Sequence, residues 1–308
     1  MRERNQILTL WQELKKAGQP AVLATVVRTE GSSYRLPGAR LLLARDGRRA
    51  GGVSGGCLEA DLVQKAWWLT ENGPTVRKYD TTPEGESFGL GCNGIISVLL
   101  ERVTPEHPGV LPLLETVARE RRPITIKHQD LFEEVLTPPI HLLIFGAGDD
   151  AVALSDLAKY LGWQVSIFDG RAQFARPERF PSADHVSVRA AGSPLSPADP
   201  WTVAVVMTHS YVQDLDIIRS FAAAPPLPYL GVLGPRKRTE QLLAEAAFPQ
   251  FEGTKPHTPL GLDLGGHGAE QVAIAAIAEI QAVLNGRSGG FLSDRPTPIH
   301  SETSPITV

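Results

Sequence analysis

Leu142-Leu143-Ile144-Phe145-Gly146-Ala147-Gly148-Asp149-Asp150-Ala151 is an apolar strand pattern that breaks at a Gly-x-Gly-x-x-Ala turn and runs on as a helix. Glycines at such a turn let the backbone reverse tightly and come close to a ligand. The helix that follows aims its N-terminus at an anion. The next apolar run ends at Asp169, at about the separation expected of an acidic residue that takes ribose hydroxyls. A glycine fingerprint alone is weak, but strand, helix and acidic residue here fall in one register.

From Ile140 onward the same rhythm repeats. Strand patterns at 141–145, 164–168, 203–208 and 229–233 alternate with helical patterns at 150–161, 235–246 and 270–284. This alternation predicts a parallel sheet covered by helices, a Rossmann-like doubly wound domain over 140–286. Its candidate ligand residues are Gly146, Gly148 and Asp169. His209 joins them, because Thr208-His209-Ser210-Tyr211 follows a strand on the carboxyl edge where open α/β sheets bind ligands. Arg236 opens the helix after Gly231-Val232-Leu233-Gly234-Pro235, where a cation opposes the macrodipole and a bound anion would offset it. Solvated arginines and a backbone-bonded His209 are the plainer readings. Asp149 and Asp150 place negative charge beside the presumed phosphate position while suiting the helix dipole. The crevice therefore fits NAD(P) or a different ligand.

N-terminal to this domain the pattern is α+β, assigned to residues 1–103. Ile7, Leu10, Trp11 and Leu14 form a helical stripe, and 21–27, 40–44 and 95–103 read as strands. Residues 104–139, with Pro138-Pro139, read as a linker region, and 287–308, rich in Gly, Ser, Thr and Pro, as a flexible tail. A length of 308 residues suits two domains, each with its own core. The net charge of -4 argues against a nucleic-acid partner, which needs a dense basic field. No apolar run is long enough to span a bilayer, and Met1-Arg2-Glu3-Arg4-Asn5 lacks the apolar core of a signal peptide. With two cysteines, too few for a disulfide framework, the expected location is the cytoplasm.

Both cysteines sit in glycine-rich turns. Cys57 closes Gly51-Gly52-Val53-Ser54-Gly55-Gly56-Cys57, directly before a helix at 58–69, and Cys92 lies in Gly89-Leu90-Gly91-Cys92-Asn93-Gly94. Free amides of the first loop, Ser54, Gly55 and Gly56 included, would make an anion-binding concavity, and the helix start favours an ionised thiol at Cys57. Glu59 in the first turn stabilises that start. The plainer reading is a tight turn with a buried thiol; Gly91-Cys92-Asn93-Gly94 can equally be a hairpin turn. A single Cys57–Cys92 disulfide is compatible with the sequence. Neither cysteine has a ligand-spaced neighbour for zinc, nor is there a Cys-x-x-Cys pair for a thiol redox protein. Arg35, in Gly31-Ser32-Ser33-Tyr34-Arg35, is expected to turn toward the cysteine loop.

Together these motifs resemble the XdhC/CoxI family, accessory factors of molybdenum hydroxylases, from about Gln6 to Gly286. The most specific piece is Val53-Ser54-Gly55-Gly56-Cys57-Leu58-Glu59. Gly146-Ala147-Gly148-Asp149-Asp150-Ala151, Met207-Thr208-His209 and Gly261-Leu262-Asp263-Leu264-Gly265 also fit; one departure is Asn93, where many members carry glycine. The resemblance implies an N-terminal XdhC/CoxI-type domain before the Rossmann-like one. It also implies a cofactor-maturation chaperone rather than a stand-alone catalyst. Such a protein binds molybdenum cofactor, as molybdopterin or its dinucleotide, supports its sulfuration and delivers it to a molybdenum hydroxylase apo-enzyme. Cys57 and Cys92 would then contact the molybdenum or relay a persulfide, with a cysteine desulfurase as a further partner and a homodimer as the assembly. The competing class is an NAD(P)-dependent oxidoreductase using the Rossmann-like half, although no hydride-transfer constellation accompanies the fingerprint.

Overall fold

The computed structural model describes residues 1–31, 33–82, 94–128, 130–195, 199–248 and 256–296. The chain divides into two compact units, residues 1–138 and a second that begins at Pro139. The tail from 297 onward lies outside the described residues, as does Cys92. No helix among the described residues is long and apolar enough to cross a membrane.

The first unit is a five-stranded antiparallel sheet with helices on both faces. Its elements are α1 (Arg2–Lys16), β1 (Ala21–Gly31), β2 (Arg40–Ala44), β3 (Arg49–Gly51), α2 (Cys57–Leu69), β4 (Thr75–Asp80), β5 (Gly94–Val103), α3 (Leu111–Glu120), β6 (Ile124–His128) and β7 (Phe132–Leu136). The strand order is β3-β2-β1-β5-β4. Because side chains alternate across a strand, both faces of β1 and β2 find cover. Leu23 and Leu42 pack with Trp11 and Leu14 of α1 and Leu114 of α3, while Val22, Leu41 and Leu43 pack with Leu58 and Leu62 of α2. This double cover explains why Ala21 to Val27 is buried without a break.

Residues 104–139, read from sequence as a linker region, carry α3 and the β6–β7 hairpin. Leu111, Leu114, Val117, Ile126 and Leu136 belong to the first unit's core. A buried charge cluster ties the hairpin to β2. Arg40 pairs with Glu134, its Nη2 lies 3.3 Å from His128 Nε2, and that nitrogen is 2.8 Å from Glu134 Oε1. Burial, aided by the nearby Arg40 charge, pushes the His128 ring down to about 4, so it is neutral at physiological pH.

The second unit runs β8 (His141–Phe145), α4 (Asp149–Tyr160), β9 (Gln164–Asp169), β10 (His185–Val188), β11 (Thr202–Val206), α5 (Tyr211–Ala222), β12 (Leu230–Val232), α6 (Arg236–Glu245) and α7 (Ala269–Leu284). All its strand pairs are parallel, in the order β10-β9-β8-β11-β12. Strand order therefore reverses between β8 and β11, the Rossmann switch point whose carboxyl side forms a ligand crevice. Leu143, Phe145, Ala204 and Val206 pack on one face with Ile217, Ile218 and Phe221 of α5. Helix α4, which contacts β8 and β9, packs against α7. An apolar face of Ala151, Leu154 and Ala158 on α4 and Ala273, Ala276 and Ile280 on α7 is buried.

Candidate functional site

Cys57 is the first residue of α2, and its thiol is free and exposed. The loop before it is rigid because Glu59 reaches back into it. The Glu59 carboxylate Oε1 accepts the amides of Val53 at 2.9 Å and Ser54 at 2.8 Å, and Oε2 accepts the Ser54 hydroxyl. The Ser54 oxygen in turn accepts the amides of Gly56 and Leu58, each at 3.1 Å, and so caps the helix start. Burial raises the Glu59 pKa, yet the Ser54 hydroxyl and the loop amides outweigh it and hold the carboxyl below its ordinary range. The expected anion concavity is filled in part from within: the amides of Val53 and Ser54 already hold a carboxylate of the same chain. Gly56 takes φ +118, which favours glycine, and a methyl group on Gly55 or Gly56 would touch nothing within 4 Å. These two positions, directly before Cys57 in the chain, border open space.

Arg35 does not supply a free cation to this loop. Its guanidinium forms a two-pronged pair with Glu3 of α1, Nη1 donating to Oε1 at 3.0 Å and Nη2 to Oε2. The expectation for Arg35 missed this partner because Glu3 lies a whole helix and strand away in sequence.

In the second unit the Gly146–Gly148 turn, Asp169 and His209 come together at the carboxyl edge of the sheet. A methyl group on Gly146 (φ +120) would lie 2.4 Å from the Met207 carbonyl oxygen, so this glycine is required by the close approach of β8 to the residue after β11. Asp169 is wholly buried. Its Oδ2 accepts the Ala147 amide and Arg171 Nη2, each at 2.8 Å, while Oδ1 accepts Arg171 Nε and the Arg171 amide, each at 2.9 Å. Burial raises its pKa, but these donors win and keep it below the usual carboxylate range. The carboxylate expected to meet a ribose is thus paired within the chain. Arg179 donates to the Ala147 carbonyl and, at 2.7 Å, to Asp149, and both Arg171 and Arg179 lie over the ring of Phe174.

His209 adopts the left-handed conformation (φ +59), and its Nε2 is 2.7 Å from Asp150 Oδ2. Thr208 donates its hydroxyl to Asp214, and Asp214 accepts Arg238 at 2.6 Å. Arg238, not Arg236, is the ion-paired cation of α6. Among the described residues no polar side-chain contact joins Arg236 to the others. Beside this edge lies a crevice of about 440 Å³, lined by Asp169, Gly170, Arg189, Thr208, Gln213 and Asp216.

The profile described as the XdhC and CoxI family matches residues 14–80, and that of the XdhC Rossmann domain matches residues 142–280. A Bacillus subtilis protein, named as a probable subunit of xanthine dehydrogenase, is 32% identical over 320 aligned positions, covering 88% of this chain and 96% of the relative. The chain belongs to the XdhC and CoxI family. The molybdenum cofactor insertion chaperone PaoD of Escherichia coli is 27% identical, with 91% of this chain and 89% of that protein covered. A crystal structure described as a xanthine dehydrogenase from Bacillus halodurans superposes with a TM-score of 0.77 at 27% identity, covering 94% of this chain and 98% of that one.

For this family member, sequence reasoning missed Arg171, Phe174 and Arg179, which cover the glycine turn. It also missed the Asp150–His209 and Asp214–Arg238 pairs. The Arg171-x-x-Phe174 spacing directly after Asp169 was the available signal, since a cation two residues beyond a strand-end carboxylate can fold back on it. Among the described residues no cluster of three or more His, Cys, Asp or Glu is placed to hold a metal ion.

Proposed function

We propose that the chain is a molybdenum cofactor insertion chaperone, which holds the cofactor through sulfuration and passes it to an apo-hydroxylase of the xanthine dehydrogenase type. The observation that carries this reading is the free, exposed Cys57 thiol on a loop stiffened by Glu59 and left open by Gly55 and Gly56. A soft thiolate suits molybdenum or a sulfur in transit. The name of the Escherichia coli relative points the same way. Cys57 is assigned as the thiol that meets the cargo, with Cys92 as its second thiol. A persulfide would reach Cys57 by exchange: its thiolate takes the terminal sulfur of a cysteine desulfurase persulfide, and the desulfurase thiolate leaves. A homodimer, for which both sheets offer edge strands, and a cytoplasmic location complete the proposal.

An NAD(P)-dependent activity is less well supported. A ribose at the buried Asp169 would have to displace its two-pronged pair with the half-exposed Arg171.

The deciding experiment purifies the chain, under reducing conditions, from a host that makes molybdenum cofactor. Co-purified pterin fluorescence is expected, as is activation of an added apo-hydroxylase. Cys57→Ala should keep the fold and lose most of this transfer. Pterin-free protein that binds NAD(P) at micromolar concentration would overturn the chaperone reading. Wild-type transfer by the Cys57→Ala variant would remove Cys57 from it.

A further inference from the structure

Beyond the edge of β12 the second unit holds a cavity of about 780 Å³, within the size range of small-molecule sites. It is separate from the carboxyl-edge crevice and shares no lining residue with it. Its apolar walls include Phe221, Leu227, Leu230, Phe248 and Val283. Pro225, Pro226, Pro228, Pro256 and Pro259 also line it, and a proline offers a carbonyl acceptor with no N–H. Among the described residues no lysine or arginine lines it, and its described walls are mostly apolar.

One polar cluster is built into the wall. Tyr229 donates its hydroxyl to Glu279 Oε2 at 2.5 Å, and the Gly261 amide donates to the same oxygen at 2.8 Å. His257 Nδ1 lies 3.1 Å from Glu279 Oε1, and the imidazole stacks on the Tyr229 ring with centroids 4.6 Å apart. The His257 backbone is fixed as well, its amide donating to Leu230 and its carbonyl accepting from Val232. The Tyr229 hydroxyl and the Gly261 amide, both donating to Oε2, favour the ionised, acceptor-only form of Glu279, so Nδ1 of His257 is the donor to Oε1. In the neutral imidazole Nε2 is then an acceptor, and it has no partner among the described residues. The sequence alone singled out neither His257 nor Glu279.

We infer that this cavity binds an uncharged, flat heteroaromatic compound carrying a ring N–H, with His257 Nε2 accepting that hydrogen. The proposal does not depend on the chaperone reading. The full chain is titrated with indole and with 1-methylindole, which differ in that one hydrogen, by calorimetry and by nitrogen NMR of the histidine rings. Indole is expected to bind about five- to tenfold more tightly and to shift the His257 Nε2 signal, as a hydrogen bond to an otherwise unpaired acceptor implies. His257→Phe keeps a ring against Tyr229 and should bring indole down to the affinity of 1-methylindole, leaving 1-methylindole unchanged. Equal binding of the two compounds by the wild type, saturable binding of neither, or a preserved indole preference in His257→Phe would each overturn it. Should His257→Phe fail to fold, the wild-type pair and the His257 signal decide alone.

Discussion

Removing the Glu59 carboxylate is the most direct test of how the Cys57 loop is held. In Glu59→Ala, the amides of Val53 and Ser54 lose their acceptor while Val53 stays wholly buried. Hydrogen bonds to a charged group contribute about 1.5–3 kcal/mol each, and partial rehydration of the half-buried Ser54 returns some of that loss. The expected local cost is about 2–4 kcal/mol, or about a 30- to 1,000-fold faster amide exchange at Val53 and Ser54. Glu59→Gln keeps an oxygen acceptor without the charge and should cost about 1–2 kcal/mol. Native-state hydrogen exchange resolved at these two amides reads both values. The pH dependence has a definite sign. The native pKa lies below the ordinary 4.5, so the stabilisation is complete above that value and is lost as pH falls through the lower native one. Exchange at Val53 and Ser54 within about threefold of wild type in Glu59→Ala would refute the assignment, since even one such bond implies more.

Arg40→Met leaves Glu134 buried without its cation and should destabilise the first unit by about 3–5 kcal/mol. The double replacement Arg40→Met with Glu134→Leu should recover most of that loss in thermal unfolding of the full chain. Gly146→Ala combines a left-handed backbone with a clash on the Met207 carbonyl, and about 3–5 kcal/mol of destabilisation is expected in calorimetry. Gly148→Ala should cost about 1 kcal/mol, because its backbone is ordinary (φ -68) and the nearest obstacle is the movable end of Asp150. Equal costs at the two glycines would contradict the close-approach account of Gly146.

The strands that the sequence made legible are those buried on both faces. Residues 141–145 and 164–168 stand out because a covered parallel strand is a continuous apolar run. Of the edge strands only Leu230–Val232 was legible, because it is wholly buried. His185–Val188 and Thr75–Asp80 are polar and half exposed, and Arg49–Gly51 is three residues long. The β6–β7 hairpin was hidden for a related reason: Ile126 and Leu136 are buried among exposed neighbours in a stretch flanked by prolines. At the candidate sites, position was legible and occupancy was not. Asp169 sits at the end of its strand as the spacing predicts, but its full use by Arg171 and Ala147 depends on how a turn folds back. Likewise the loop glycines and Glu59 were read as a ligand cradle and a helix-start charge, whereas the charge fills the cradle.

Glu59 is the sole formally charged side chain between Gly51 and Glu59 itself, and it is seated inward on the loop amides. The stretch leading to Cys57 therefore faces solvent with no unspent positive charge of its own. If Cys57 meets its cargo as proposed, residues 51–59 add no side-chain cation of their own to attract polyanions such as free nucleotides. On the proposed chaperone reading, selection at Cys57 would rest on affinity for soft, sulfur-seeking centres and on the room left by the two side-chain-free residues before it.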